Sequence, residues 1–240
     1  MPVYTISNWE KTVVFEAMSH IWSENFYQKV RENIKKYKEN WFVLFFEWVK
    51  WWTKENQDKF NKALWVDFNP EIYENFSKLY WLTYQDNSTL LNIVNNKDFN
   101  VDVTIDDIIS KYEKTKIEKN IINREYKTPI DINTEIKTTL SILNDRQLNI
   151  LRYINKAMIN VIIKSNWIQQ TISDNFANKE LFDIILNKRN EVIANEIMNS
   201  EHKKIIVTYW LLHFEWIFNL LKQNDIKWHI KRIDYIDVTK

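Results

Sequence analysis

Three short apolar runs along the chain predict buried β-strands, and an ionisable side chain follows each run. The runs are residues 12–15, 42–46 and 205–209. Continuous apolar runs of this length, rich in Val, Ile and Phe, are typical of strands covered on both faces. His20 follows the first run, Glu47 the second and His213 the third. Because ligands bind at the carboxyl ends of strands in open α/β sheets, the pattern predicts one shared site.

Between and around these runs, the sequence predicts helices and two further strands. Residues 3–6 form a hairpin with the first run, and residues 228–237 alternate like a final edge strand. Apolar positions at helical spacing, with capping residues before them, predict helices over residues 23–39, 53–64, 70–80, 146–164, 180–199 and 214–223, and a short one from Thr104. The predicted fold class is α/β, with a mixed central sheet built from the N- and C-terminal segments and covered by helices. The middle section is helical.

The length and the charge of the chain narrow its class. The chain has 240 residues and a formal net charge of +1, which predicts a single domain over residues 1–240, with about 85–144 as a helical cap or insertion. Near-zero net charge argues against a nucleic-acid partner. The chain has no cysteine, so it has neither disulfides nor thiolate metal sites. We predict a cytoplasmic protein without a membrane span, because the longest apolar run, residues 41–52, is interrupted by Glu47 and Lys50. Oligomeric state is left open.

The most unusual feature of the composition is the absence of glycine beside 12 tryptophans. Average usage of about 7% would give roughly 17 glycines. Several tryptophans occupy positions after Asn, or just past an amphipathic stretch, where glycine normally makes a turn or ends a helix. They are Trp9, Trp41, Trp65, Trp81 and Trp167. Some bacterial lineages read UGA as Gly, and our hypothesis is that most of these residues are glycine in the organism. The alternative is a truly glycine-free protein.

Four residues are the strongest candidates for chemistry, and each has a structural alternative. His20 and His213 end two apolar runs and suit general-base or metal-ligand roles, although either could be a partly buried histidine bound to the backbone. Glu47 could be a metal ligand, a general base or half of an ion pair with Lys50 or a distant Arg. Arg189 could hold a substrate carboxylate or an oxyanion, or be a solvated helix charge.

Two further carboxylates remain ambiguous in the sequence. Asp102, within the stretch FNVDVTIDD, could serve a site or the surface. Glu16 lies on the first predicted strand, and its side chain could simply point to solvent. Of the remaining histidines, His202 and His229 are predicted to be surface residues.

With Trp read as Gly, these motifs resemble the TraB/PrgY family, which is related to the TIKI proteases and to the erythromycin-esterase and ChaN-like proteins. The family pattern has two GxxH motifs, a Glu after the second core strand and an Arg on a late helix. Residues 210–213, WLLH, match the second motif if Trp210 is Gly. Residues 17–20, AMSH, match the first, with Ala in place of Gly. Glu47 and Arg189 match the other two positions.

The resemblance implies a metal-dependent hydrolase that acts on peptide or similar amide bonds. His20, His213 and Glu47 would then bind a divalent ion, manganese, cobalt or zinc, and activate water. Arg189 would hold the substrate or the oxyanion. The alternative function is a non-catalytic protein that binds or sequesters a pheromone-like peptide in the same pocket. The expected partner is a peptide or a small-molecule substrate in either case.

Overall fold

The computed structural model describes residues 1–49, 52–67, 71–80, 82–84, 92–118, 129–164 and 178–236. The strands are β1 (Pro2–Ser7), β2 (Thr12–Met18), β3 (Ile21–Trp22), β4 (Val43–Phe46), β5 (Thr83–Tyr84), β6 (Phe99–Asn100), β7 (Lys204–Trp210) and β8 (His229–Tyr235). The helices are α1 (Glu24–Glu39), α2 (Lys54–Leu64), α3 (Glu71–Tyr80), α4 (Ile105–Glu118), α5 (Ile132–Ile142), α6 (Asp145–Lys164), α7 (Lys179–Asn199) and α8 (Phe214–Asn224). None of the described helices combines the length and the apolar content needed to cross a bilayer.

The central sheet has six strands in the order β6-β4-β7-β2-β1-β8. The first four are mutually parallel, whereas β1 runs antiparallel to both β2 and β8. The predicted α/β class, with a mixed sheet assembled from the two ends of the chain, is therefore confirmed. The predicted edge strand is β8. The two-residue strand β6 has no periodicity of its own and was not predicted.

The chain divides into two compact units, which we call the sheet unit and the helical unit. The sheet unit comprises Met1–Val49, Gln85–Val103 and Leu186–Lys240, and it contains all six strands of the central sheet. The helical unit comprises Lys50–Tyr84 and Thr104–Ile185. Its described part is mainly helical, and the helical cap predicted over about residues 85–144 stays a prediction. That the two units form one domain stays a prediction.

Side-chain caps explain where several helices begin. Ser23 Oγ accepts a hydrogen bond from Phe26 N at 3.2 Å, at the start of α1. Before α4, Thr104 Oγ1 accepts from Asp107 N at 2.9 Å, and the Asp107 carboxylate accepts from Thr104 N at 3.2 Å. This reciprocal pair is a capping box with Asp in the third helical position. Both starts agree with the prediction, while the cap predicted at residues 69–70 lies outside the described residues.

One lysine attaches the end of α7 to the start of β2. Lys11 Nζ donates hydrogen bonds to the carbonyl oxygens of Ile197, Met198 and Ser200 at 2.8, 2.6 and 2.6 Å. The last carbonyls of a helix have no partner within the helix, and the helix dipole makes this end negative. A single ammonium group therefore satisfies three backbone acceptors and fixes where α7 ends relative to the sheet.

Glu16 does not point to solvent, so that reading of the sequence was wrong. Its side chain is completely buried on β2, where Oε1 accepts a hydrogen bond from Asn33 Nδ2 of α1 at 3.2 Å. The other carboxyl oxygen has no hydrogen-bond partner among the described residues. Burial raises the pKa of Glu16 to about 8, with the Asn33 bond opposing it, because a charged carboxylate is poorly solvated there. Glu16 is therefore mostly protonated at neutral pH.

Three of the tryptophans suspected to be glycine have left-handed backbone. The φ angles are 77° at Trp9, 66° at Trp41 and 61° at Trp65. This region costs a residue with a Cβ about 1–2 kcal/mol, whereas glycine enters it freely. Trp9 and Trp41 are also about four-fifths exposed, at 80% and 82%, so their indoles bury little surface. Trp81 and Trp167 lie outside the described residues.

Replacing the left-handed tryptophans by glycine should stabilise the printed chain. We expect Trp41→Gly to raise the free energy of unfolding by about 1 kcal/mol, because it removes backbone strain and loses little burial. Urea unfolding measures the change. As a control, Trp22→Gly should lower stability by about 3–5 kcal/mol, since Trp22 is a buried strand residue. Mass spectrometry of the native protein should find Gly at positions 9, 41 and 65; finding Trp there refutes the hypothesis.

The buried carboxyl of Glu16 should make stability fall as pH rises. Its folded pKa of about 8 lies above the ordinary pKa of 4.5 for a glutamate, so the folded state binds more protons than the unfolded state between these values. This contribution is fully present below pH 4.5 and is lost at about 1.4 kcal/mol per pH unit up to pH 8. Urea unfolding between pH 5 and pH 8 measures the effect. We expect the free energy of unfolding of Glu16→Gln, relative to that of the parent, to rise with this slope as pH increases. The exposed Glu39→Gln should show no such slope, and a pH-independent gain for Glu16→Gln would contradict the prediction.

Candidate functional site

The carboxyl ends of the four parallel strands bring ionisable residues to one edge of the sheet. His20 lies two residues beyond β2, Glu47 one beyond β4, Asp102 two beyond β6 and His213 three beyond β7. Parallel strands end on the same side, so the topology explains why residues far apart in sequence share this edge. The topology places them at one edge of the sheet, and the shared site and the chemical roles predicted from the sequence stay predictions.

Arg189 of α7 lies between two of these carboxylates. Its Nε and Nη2 donate to the two oxygens of Asp102 at 2.8 and 2.7 Å. Its Nη1 lies 2.7 Å from Glu47 Oε1. The planar guanidinium matches a carboxylate in this two-bond geometry, which a lysine could not reproduce. Arg189 thereby joins α7 to the ends of β4 and β6.

Burial makes this ion cluster strong and costly to break. Arg189 is 8% exposed and Asp102 is 2% exposed. Burial lowers the pKa of Arg189, but the neighbouring carboxylates of Glu47 and Asp102 outweigh it and raise the pKa above its usual value. Arg189 is therefore always charged, and its reading as a solvated helix charge was wrong. For Glu47, the structure shows the alternative of an ion pair with a distant Arg.

His213 is completely buried and held in one orientation. Its Nδ1 lies 2.7 Å from Asn190 Oδ1. An amide oxygen only accepts hydrogen bonds, so Nδ1 carries the proton and Nε2 carries the lone pair. Among the described residues, Nε2 has no hydrogen-bond partner. Burial, then the charge of Arg189, then His20 lower the pKa of His213 well below its usual value, so the ring stays neutral around pH 7.

Trp210 contacts both histidines and Glu47. Its ring centroid lies 6.3 Å from that of His20 and 6.1 Å from that of His213. Its backbone N–H donates to Glu47 Oε2 at 2.7 Å. The φ angle of Trp210 is −56°, so backbone strain does not demand glycine here. Glycine would nevertheless keep the N–H bond to Glu47 and remove the indole beside the two histidines.

The three predicted metal ligands do not form a ligand set in this arrangement. One oxygen of Glu47 faces the Arg189 guanidinium and the other accepts from Trp210 N. A guanidinium 2.7 Å from a carboxylate oxygen occupies the position that an ion would take. Within the described part of the chain, no group of three or more His, Asp or Glu side chains is arranged to hold a metal ion. The divalent ion that the family resemblance implies stays a prediction.

Two residues of the site were missed or left undecided in the sequence. Asn190, which orients His213, follows Arg189 directly, but a polar residue on a helix carries no signal of burial. Asp102 follows a strand of two residues, too short to mark a strand end. A carboxylate between apolar residues, as in NVDV, was the available signal for Asp102. His202 and His229, predicted at the surface, are both partly exposed.

Comparisons with protein-family models, with curated proteins and with solved structures find no match to this chain. The resemblance to the TraB/PrgY family therefore depends on the motifs themselves. Those motifs are the two segments compared with GxxH, AMSH at residues 17–20 and WLLH at residues 210–213, together with Glu47 and Arg189. The function is argued below from the geometry of these side chains.

Removing the guanidinium should destabilise the fold strongly. We expect Arg189→Met to lower the free energy of unfolding by about 3–5 kcal/mol, because Glu47 and Asp102 would remain buried without their cation. Urea unfolding at pH 7 measures the loss. Adding Glu47→Gln and Asp102→Asn to Arg189→Met should recover part of it, since no net charge then remains buried.

A surface pair provides the control for this prediction. Arg31 Nη2 lies 3.0 Å from Glu24 Oε1, and Glu24 is largely exposed. Arg31→Met should therefore cost less than about 1 kcal/mol. A loss for Arg189→Met as small as that for Arg31→Met would show that the cluster does not hold the fold together.

Proposed function

We propose that the chain is a TraB/PrgY-like hydrolase that cleaves peptide or similar amide bonds. The observation that carries this proposal is His213, a neutral and fully buried imidazole whose Nε2 has no hydrogen-bond partner among the described residues. Burying a polar atom without a partner costs free energy, and a catalytic role is one explanation for such an atom. His20 and the Arg189 cluster lie at the same edge.

In the proposed reaction, His213 activates water. Nε2 accepts a proton from the water molecule as its oxygen attacks the carbonyl carbon, and Asn190 keeps the ring in the tautomer that can do so. The lowered pKa of His213 keeps Nε2 unprotonated at neutral pH. When the C–N bond of the tetrahedral intermediate breaks, the proton passes to the leaving amine, from His213 or through His20.

Arg189 contributes a fixed positive charge to the proposed site. Attack on the carbonyl places negative charge on its oxygen, and a permanent cation nearby lowers the energy of that state without a proton transfer. Two carboxylates already surround the guanidinium. They hold Arg189 in position, and the three charges sum to −1. Arg189 would therefore act on the oxyanion only through a guanidinium N–H at hydrogen-bond distance.

The alternative is a protein that binds a peptide without cleaving it. The observation in its favour is the state of Glu47: Oε2 accepts a hydrogen bond from Trp210 N, and Oε1 lies 2.7 Å from Arg189 Nη1 in an ion pair without hydrogen-bond geometry. A carboxylate held this way is not free to act as a base or to bind an ion. A peptide could still dock at this edge, with one of its N–H groups donating to Nε2 of His213.

Cleavage of a peptide library tests the proposed hydrolase. The parent chain and its Trp210→Gly variant should each be assayed with a chelator and with added manganese, cobalt or zinc. We expect turnover, greater in Trp210→Gly because the indole no longer packs against His20 and His213. His213→Gln should lower kcat by about 100-fold or more, and Arg189→Lys should lower it because Lys lacks the planar fork. His202→Ala is the matched control and should keep full activity.

Calorimetric titration of the three ions, and of peptides from the same library, completes the test. Because His213 is buried, each variant must first show an unchanged circular dichroism spectrum; His20→Ala, a half-buried site, serves as the second active-site variant. Ion binding lost in both histidine variants would support the metal-dependent form. Peptide binding without turnover would favour the binding protein. Neither binding nor turnover in Trp210→Gly would contradict both functions.

A further inference from the structure

A cavity lies in the sheet unit between α1 and the β1–β8 side of the sheet. Its volume is about 550 Å³, and its lining includes Val3, Asn33, Tyr37 and Tyr235. Cavities of about 300–1,000 Å³ are typical of small-molecule sites. None of His20, Glu47, Arg189 and His213 lines this cavity, so it is separate from the proposed hydrolytic site.

The face of α1 that borders the cavity is polar and lies beside the apolar face, Phe26, Tyr27, Val30 and Ile34, that the helix buries. The α1 lining residues are Lys29, Glu32, Asn33, Lys36 and Tyr37. They follow the spacing i, i+3, i+4, i+7 and i+8, which defines one face of a helix. Lys29, Asn33 and Tyr37 on this face are partly buried, whereas Glu32 and Lys36 are exposed. The face therefore offers both polar and charged groups to the cavity.

The charge without an ion-pair partner in the lining of the cavity is positive on balance. On the β8 side, Arg232 Nε pairs with Asp234 Oδ2 at 2.7 Å, so these two charges balance. Glu32 Oε1 accepts a hydrogen bond from the neutral amide of Gln28 at 3.0 Å. Among the described residues, the ammonium groups of Lys29 and Lys36 have neither an ion-pair nor a hydrogen-bond partner. With three cations and two carboxylates in the lining, the sum is +1.

The inner wall of the cavity does not oppose an anion. Asn33 lines the cavity and donates a hydrogen bond to Glu16, the cross-strand neighbour of Val3. Glu16 is mostly protonated at neutral pH, since burial raises its pKa to about 8. The carboxyl group behind the wall therefore adds little negative charge, and its second oxygen has no partner among the described residues.

We propose that this cavity binds a small phosphate monoester of up to about mononucleotide size, with its phosphate held by Lys29 and Lys36. These lysines lie two turns apart on α1, about 10 Å along the axis, and their flexible side chains can converge on one group. Two ammonium charges match a phosphate dianion, for which Lys is a common point-charge ligand. Tyr37 and Tyr235 border the remaining volume and offer ring surface to the organic part.

Calorimetric titration with AMP as the probe tests the proposal, with adenosine as the phosphate-free control. We expect AMP to bind at least 10-fold more tightly than adenosine. Lys36→Glu and Lys29→Glu should each weaken AMP binding at least 10-fold. Lys35→Glu is the matched control, because it makes the same charge change at the residue before Lys36, which does not line the cavity. It should change the affinity less than twofold.

Three results would overturn the proposal: no AMP binding, equal binding of AMP and adenosine, or an equal loss in Lys35→Glu and Lys36→Glu. The last would indicate attraction by overall charge rather than a site. NMR shifts on AMP addition should concentrate at the Asn33 side-chain amide and at Tyr235. Peptide cleavage measured on the same variants should be unchanged by Lys36→Glu, so failure of this proposal is distinguishable from failure of the proposed hydrolase.

Discussion

A single guanidinium group holds together the edge of the sheet on which the candidate chemistry depends. Arg189 reaches from α7 to carboxylates that follow two different strands, and it forms two bonds with Asp102 and one contact with Glu47. Each carboxylate would be expensive to bury alone. Together with the cation they become compatible with a nearly dry environment. The ion cluster thus adds α7 to the backbone hydrogen bonds that hold the ends of β4 and β6 in the sheet.

The same turn of α7 also prepares the candidate base. Asn190 follows Arg189, and a step of one residue turns the side-chain direction by about 100° around a helix. The arginine can thus face the carboxylates while the asparagine faces His213. Arg189 stabilises the fold, and its neighbour Asn190 orients the ring of His213. A substitution that disturbs one should disturb the other, so their energetic effects should not be additive.

Local signals in the sequence predicted much of the fold, and long-range pairing was beyond them. Ser23 and Thr104 mark helix starts through bonds to residues three positions away, and the left-handed backbone at Trp9 follows from the turn itself. Arg189 and Asp102 are 87 residues apart, and no sequence pattern specifies their contact. Likewise, the burial of Glu16 depends on α1 covering that face of β2. A single sequence shows that a carboxylate lies on a strand but does not show which helix covers it.

The ammonium group of Lys11 has a mechanical consequence for α7. It donates hydrogen bonds to the last carbonyls of the helix, around Ile197, and Arg189, eight residues earlier, is bound to Asp102. These two attachments lie about 12 Å apart along the axis. A helix attached at one point can still rotate about that point, and sliding along its axis would disturb only one contact. Two attachments oppose both rotation and sliding, so α7 can shift along the sheet only if it first detaches. An effector that acts at this edge must therefore work through side chains or local unfolding, because a graded shift of the helix is not available to it.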